Sequence, residues 1–287
     1  MKKIVILLVC TLIINVLSAQ NKTNKCIIIG IDGARPDATL FANTPHIDSL
    51  VLNGAFSFTA QADPISRSGI CWTGMLTGVW HEKHNVLTNS YKDYHGDDYP
   101  HFYKRLKQAN KKLKLHSIVN WSPIHKILEP KDCDILETYG NDDLVTERVV
   151  EVIKQEESDV IFVQLDHVDH IGHKVNHSIQ RPDYLKSIEE ADAQIGLMLD
   201  AINERKNKEN ENWYVIVSTD HGGDVTGHGR DIPIHTTVFY IINGPEVKKG
   251  EISEQVNITD IAVTVLKIMG VNAKTDWNLD GAVRGLN

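Results

Sequence analysis

Short apolar runs alternate with amphipathic stretches along most of this 287-residue chain, and that alternation restricts the fold more than any other feature. The runs "CIIIGID" (Cys26 to Asp32), "LKLHSIVNW", "DVIFVQLD", "WYVIVSTD" and "HTTVFYIING" are rich in isoleucine, valine and aromatic residues, which pack well on a pleated surface. Between them, helical periodicity is expected from Pro45 to Asn53, Tyr103 to Lys111, Asp142 to Gln155, Asp183 to Asn203 and Ile258 to Met269. Strands that are apolar on both faces need helices on both sides. The pattern therefore predicts an α/β three-layer sandwich with a mostly parallel central sheet flanked by helices.

Residues 1–19 stand apart: Lys2 and Lys3, an apolar stretch from Ile4 to Leu17, then small residues. This reads as a signal peptide, so the chain is expected to be exported, periplasmic or secreted, with one domain over residues 20–287. No later apolar run approaches the ~20 residues that span a bilayer. Without Lys2 and Lys3 the formal charge goes from −8 to −10. That argues against a nucleic-acid-binding module, since phosphate backbones are held by positive charge. It leaves an anionic substrate open, because a bound metal reverses the local sign. Cys26, Cys71 and Cys133 allow one disulfide at most; Cys26 and Cys71 sit among apolar neighbours and are expected to be buried thiols.

Three of the strand candidates end in, or are soon followed by, aspartate: Asp32, Asp166 with Asp169, and Asp220. In open α/β sheets ligands bind beyond the carboxyl ends of strands. The stretch "LDHVDHIGHKVNH" packs four histidines and two aspartates into thirteen residues, and "STDHGGDVTGHG" adds Asp220, His221 and His228. Asp169 and His173 are four apart, so a helical turn puts them on one face. Imidazoles and carboxylates from several strand ends suit a divalent metal: zinc first, manganese or iron next. "HEKH" (His81 to His84) lacks the two-residue gap after its glutamate that puts both histidines of the zinc-protease helix on one face, so it is not read as a metal motif. A nucleophile beside the metals could be Ser66, Ser68 or Thr73, each in a glycine-containing stretch before an apolar run. A serine at a helix N-terminus meets backbone N–H groups that favour anions.

Taken in order, the motifs resemble the alkaline phosphatase superfamily, most closely its type I phosphodiesterase/nucleotide pyrophosphatase branch. "IIIGIDGARPD" is similar to the opening strand and first metal aspartate, and "TPHIDSLVLNGAFS" to the helix that follows. "LTGVWHEKHNV" closes the nucleophile region, "DHVDHIGH" resembles Asp-x-x-Gly-His, and "TDHGG" and "GHG" the last two metal motifs. "NGPEVKKG" and "ITDIAVTVL" are similar to the C-terminal strand and helix. The resemblance implies an alkaline phosphatase-like fold with a minimal cap. Counting back nine residues from Thr77 it makes Ser68 the nucleophile, and twenty-one residues further on Asn89 the substrate-binding oxyanion donor. It assigns Asp169, His173 and His228 to one divalent ion, and Asp32, Ser68, Asp220 and His221 to the other. The other histidines of the opening cluster then fall behind the ligands or on the surface.

The implied reaction is two-metal hydrolysis of a phosphate ester through a phosphoserine on Ser68. Diester or pyrophosphate cleavage is the first expectation and monoester cleavage the second. Serine replaces the branch's usual threonine, and Gln164 stands where the branch carries a nucleobase-stacking tyrosine. A sulfatase would carry proline and arginine where this chain has Ile70 and Trp72. A phosphoglycerate mutase would need a longer interval between Asn89 and Asp169. A noncatalytic metal-binding surface protein would be expected to have lost a ligand or the nucleophile. Arg35, Arg67 and Arg230 flank the motifs without an assigned role. Oligomeric state is left open.

Overall fold

The computed structural model describes residues 22–155, 157–225 and 227–287. The signal-peptide reading, over residues 1–19, lies outside the described residues. Strands β1 (Thr23–Ile31), β2 (Ala55–Gln61), β3 (Leu115–Val119), β4 (Ile135–Thr138), β5 (Val160–Leu165), β6 (Glu211–Thr219), β7 (Thr237–Asn243) and β8 (Gly250–Glu251) form one sheet. Their order is β4-β3-β5-β1-β6-β7-β2-β8. Among the described strands only β7 opposes its neighbours, pairing antiparallel with β6 and β2; the other pairings are parallel.

The helices are α1 (Pro36–Phe41), α2 (Pro45–Asn53), α3 (Ser68–Thr77), α4 (His81–His84), α5 (Phe102–Ala109), α6 (Asp142–Gln155), α7 (His167–Val175), α8 (Pro182–Asn203), α9 (Pro233–Thr236) and α10 (Asp260–Ile268). β1 shows why both faces are covered. Ile27, Ile29 and Ile31 enter the core shared with α1, α2, α6, α7 and α8, while Cys26 and Ile28 enter the core shared with α3, α5 and α10. That is the period-2 alternation of a strand buried on both sides. Gly30 lies on the second face beneath α3, where a Cβ would come within 2.3 Å of the Trp72 ring. A larger residue there would lift the helix that carries Ser68 off the sheet.

Register sets the site. Ile31 pairs with Leu165 on one side and Thr219 on the other. The residues that follow, Asp32, Asp166 and Asp220, therefore stand level at one carboxyl edge. Three strands were not anticipated from hydropathy: β2, β4 and the two-residue β8. β4 lies at the sheet edge and is only partly buried, and β2 mixes polar with apolar residues, so neither forms an apolar run. The remaining boundaries differ by a few residues. α5 opens at Phe102 because the His101 side chain accepts the Lys104 N–H and so caps it.

Candidate metal centre

Two deeply buried carboxylates come from adjacent strand ends. Asp32 follows β1 and Asp220 follows β6, 1% and 0% exposed. Asp32 Oδ2 accepts from Trp72 Nε1 and Gln164 Nε2, both at 3.1 Å. Asp220 Oδ1 accepts from the Gly33 and His221 N–H groups at 3.1 and 3.0 Å. The second oxygen of each, Asp32 Oδ1 and Asp220 Oδ2, is buried without a hydrogen-bond partner. These two oxygens lie 3.5 and 3.4 Å from His221 Nε2. Burial first, and then neighbouring carboxylates (Asp220 and Asp169 for Asp32, Asp169 for Asp220), push both carboxyls well above the usual carboxylate range. Buried carboxylates without a counter-charge are costly. Oxygens left bare in this way, beside an imidazole nitrogen, fit a divalent cation.

His221 is itself fully buried, and its Nδ1 lies 2.9 Å from the Gly222 carbonyl. The ring proton therefore belongs on Nδ1, and Nε2 turns a lone pair toward the carboxylates. Burial holds its pKa well below the ordinary histidine value, which keeps the ring in the neutral, ligating form. Ser68 Oγ is 3.2 Å from the same Nε2. Ser68 is the first residue of α3, a ten-residue helix whose side chains are all buried.

A second group adjoins the first. α7 starts where β5 ends because the Asp142 carboxylate accepts the N–H groups of Asp166 and His167, both at 2.9 Å. This sets Asp169 in the first helical turn and His173 one turn on, with Asp169 Oδ2 and His173 Nε2 3.2 Å apart. His228 Nε2 lies 3.1 Å from His173 Nε2 and 3.9 Å from Asp169 Oδ1. Its Nδ1 is 2.9 Å from the Ser66 carbonyl, so here too Nε2 is left for a ligand. Burial works to raise the Asp169 carboxyl. Hydrogen bonds from His173 and His177, with the His221 and His228 rings nearby, outweigh it and hold that carboxyl well below the usual range. The His221 and His228 rings stack at 3.7 Å. Asp169, His221 and His228 bring donor atoms within 4.8 Å of one another, so His221 borders both groups.

Every candidate ligand named from the sequence thus lies in one of two adjoining groups: Asp32, Ser68, Asp220 and His221, and Asp169, His173 and His228. Asn89 also reaches the Ser68 end of α3. Its Oδ1 accepts the Gly69 N–H at 3.0 Å. The Gly69 N–H is thus taken by Asn89 itself, and what it leaves is an anchored amide with a free NH2. His167 pairs loosely with Glu190 at 3.5 Å, and His170 is exposed. Arg35 pairs with Asp37, Arg230 with Asp224, and the exposed Arg67 packs over Gly229.

Three supporting residues were missed by sequence reasoning. Gln164 is wholly buried; besides Asp32 it donates to Asp166 Oδ1, and its Oε1 accepts the Asn120 and Trp121 N–H groups at 3.2 and 2.8 Å. It braces the strand ends instead of offering a stacking surface. Trp72, four residues after Ser68, could have been matched with the small Gly30. His177, the last histidine of the cluster, bonds Asp169 Oδ1 through Nε2 at 2.8 Å.

The chain belongs to the Metalloenzyme superfamily, whose family model matches residues 130–273. The model of the type I phosphodiesterase / nucleotide pyrophosphatase family matches residues 26–131. An inactive murine ectonucleotide pyrophosphatase / phosphodiesterase 5 in complex with AMP has a similar fold, with TM-score 0.70 and 13% identity over 88% of this chain and 96% of that one. A 2-O GAG sulfatase superposes with TM-score 0.73 at 14% identity, over 92% of this chain and 73% of that one. The 2,3-bisphosphoglycerate-independent phosphoglycerate mutase of Listeria welshimeri is 30% identical over 144 residues, 49% of this chain and 26% of the mutase. The match thus spans only about a quarter of that curated relative's length. Membership implies divalent-metal chemistry of the phosphoryl- or sulfuryl-transfer kind. Among the described residues no helix is long and apolar enough to cross a membrane.

Proposed function

We propose that the chain is an exported, single-domain, two-metal phosphoric ester hydrolase that cleaves diesters or pyrophosphates through Ser68. One observation carries the reading: Ser68 Oγ, at the start of α3, stands 3.2 Å from His221 Nε2 beside the two unpartnered carboxylate oxygens of Asp32 and Asp220. Asp32, Asp220, His221 and Ser68 would hold one ion, and Asp169, His173 and His228 the other. Zinc suits this mix of nitrogen and oxygen donors, with manganese or iron as alternatives. When bound, the ions supply charge that favours an ionised serine and a departing alkoxide.

The protein's own groups do the rest. Ser68 attacks phosphorus, its Oγ–P bond forming as the bond to the ester oxygen breaks, and a phosphoserine results. Asn89, with its carbonyl fixed by Gly69, offers its NH2 to a non-bridging oxygen, where charge grows in the transition state. The start of α3 adds the field of its aligned peptide dipoles. Water then cleaves the phosphoserine and regenerates Ser68. The likeness of residues 26–131 to the phosphodiesterase family favours diesters and pyrophosphates. A specific observation favours monoesters as the second reading: position 164 holds a buried amide tied to Asp32, so no aromatic ring is available there for a base. Turnover of bis-p-nitrophenyl phosphate and p-nitrophenyl phosphate by zinc-loaded protein tests this. A strong diester preference supports the first reading, a strong monoester preference the second, and an active Ser68→Ala protein overturns both.

A further inference from the structure

We infer that His177 is a positioning residue for Asp169, fixing which carboxylate oxygen is presented to a metal ion. The inference rests on the reading of Asp169 as a ligand. His177 is wholly buried, and its Nε2 lies 2.8 Å from Asp169 Oδ1. Its Nδ1 is buried with no hydrogen-bond partner. A neutral ring with its proton on Nε2 leaves only a bare lone pair at Nδ1. The other tautomer would strand an N–H there, which is costlier to bury. Nε2 is therefore a donor, and Asp169 Oδ1 receives it. Oδ2, 3.2 Å from the fellow ligand His173, would then be the oxygen presented to the ion.

The fold holds this ring from every side. A Cβ on Gly172 would come within 2.2 Å of His177 Nε2, and one on Gly223 within 2.7 Å of its Cγ. The glycine between Asp169 and His173 is thus explained by the ring that rests on it, and α7 continues through it unbroken. Tyr184 meets the ring edge-on at 5.5 Å. The chain turns into position through Asn176, whose φ is 83°. Arg35 Nη1 donates to the His177 carbonyl at 2.6 Å, tying the same residue to the turn after β1. A surface histidine that met Asp169 by chance would need none of these supports.

Partners that orient a metal-ligating side chain typically contribute about 10–100-fold in affinity. The test is a chelator-competition titration of metal-stripped protein with zinc, alongside thermal melting without metal. Asp169→Asn identifies the ion that depends on Asp169. His177→Phe keeps a ring and removes the donor; it is expected to weaken that same ion about 10–100-fold and leave the other unchanged. His177→Gln, which returns an N–H at similar reach, is expected to restore most of the loss. Gly223→Ala keeps the histidine but crowds its ring, and is expected to weaken the same ion even if His177→Phe does not fold. Wild-type zinc affinity in both His177→Phe and Gly223→Ala overturns the inference while leaving Asp169 as a ligand. Equal loss in His177→Phe and His177→Gln overturns it in favour of simple packing. An Asp169→Asn protein that binds zinc like the wild type overturns the inference together with the reading beneath it.

Discussion

Two clusters in this protein hold nearly the same residue types, and they differ in what already occupies their donor atoms. Asp32, Asp220, His221, Asp169, His173 and His228 meet at the strand ends. His101, Glu129 and Asp132 meet where α5 begins, again with donor atoms within 4.8 Å of one another. At the strand ends the His221 and His228 Nδ1 atoms face carbonyls, leaving each Nε2 with a lone pair. In the other cluster both nitrogens of His101 are approached by backbone N–H groups, from Lys104 at 3.2 Å and Glu129 at 3.4 Å. A neutral imidazole has one lone pair, and here it is claimed twice. The charges differ as well. Glu129 is paired with Lys131 at 2.6 Å and Lys104 at 2.9 Å, which lower its pKa to about 2. Among the described residues no lysine or arginine pairs with Asp32 or Asp220. Proximity of ligand types is thus a weak criterion; whether backbone N–H groups already claim the imidazole lone pair is the stronger one.

The contrast can be broken most directly at the nucleophile. Ser68→Ala is expected to lower kcat on the order of 10⁴-fold or more, as removal of a nucleophile typically does. Residual turnover within tenfold of wild type would separate the reaction from the strand-end cluster. Next comes a matched pair, Asp220→Asn against Glu129→Gln, followed by elemental analysis after zinc loading. The first should lose a bound ion and nearly all turnover, the second neither; equal metal content in the two proteins would erase the distinction. Asn89→Ala should cost about 3 kcal/mol of transition-state stabilisation, roughly 10²-fold in kcat, with metal content unchanged.

The smallest effect sharpens the other side of the comparison. Burial lowers the pKa of both His101 and His84 to about 3, from 6.5 in an unfolded chain. Below about pH 6.5 the unfolded chain takes up protons that the folded chain refuses. The stability these rings contribute is therefore complete above that pH and is lost as pH falls toward 3. His101→Asn keeps an acceptor at the cap of α5 but removes one of these titrations. Its unfolding free energy from urea titration near pH 7 should change by about 1 kcal/mol or less, and its decline on acidification should be shallower with kcat unchanged. An unchanged acid-side slope would mean that His101 is not held neutral.

Much of the strand-end site could be read in the sequence because its parts are local. Each aspartate closes an apolar run, and Asp169 with His173 is a helical repeat. The central strands β1, β5 and β6 are nearly continuous apolar runs because helices cover both faces. β4 lacked that signal because an edge strand is only partly covered. The reversal of β7 depends on where the chain returns to the sheet, which no local pattern encodes. His177 could be counted among the cluster's histidines but not assigned, since its role comes from a turn that brings it back onto Gly172. Gln164 was read for the ring it lacks, whereas its amide serves the backbone of the next strand over.

The level register of Asp32, Asp166 and Asp220 has an evolutionary corollary. Loops beyond these residues can lengthen or shorten without moving the carboxylates, because the strand pairing ends before them. A one-residue deletion within β1 would be almost invisible to hydropathy, since every residue from Cys26 to Ile31 is buried. It would nevertheless draw Asp32 back by about 3.3 Å and turn it to the opposite face of the sheet. Descendants of this chain should therefore vary freely in the length of the segments that crown the sheet, while the strands beneath keep their residue count as strictly as a gauge keeps its divisions.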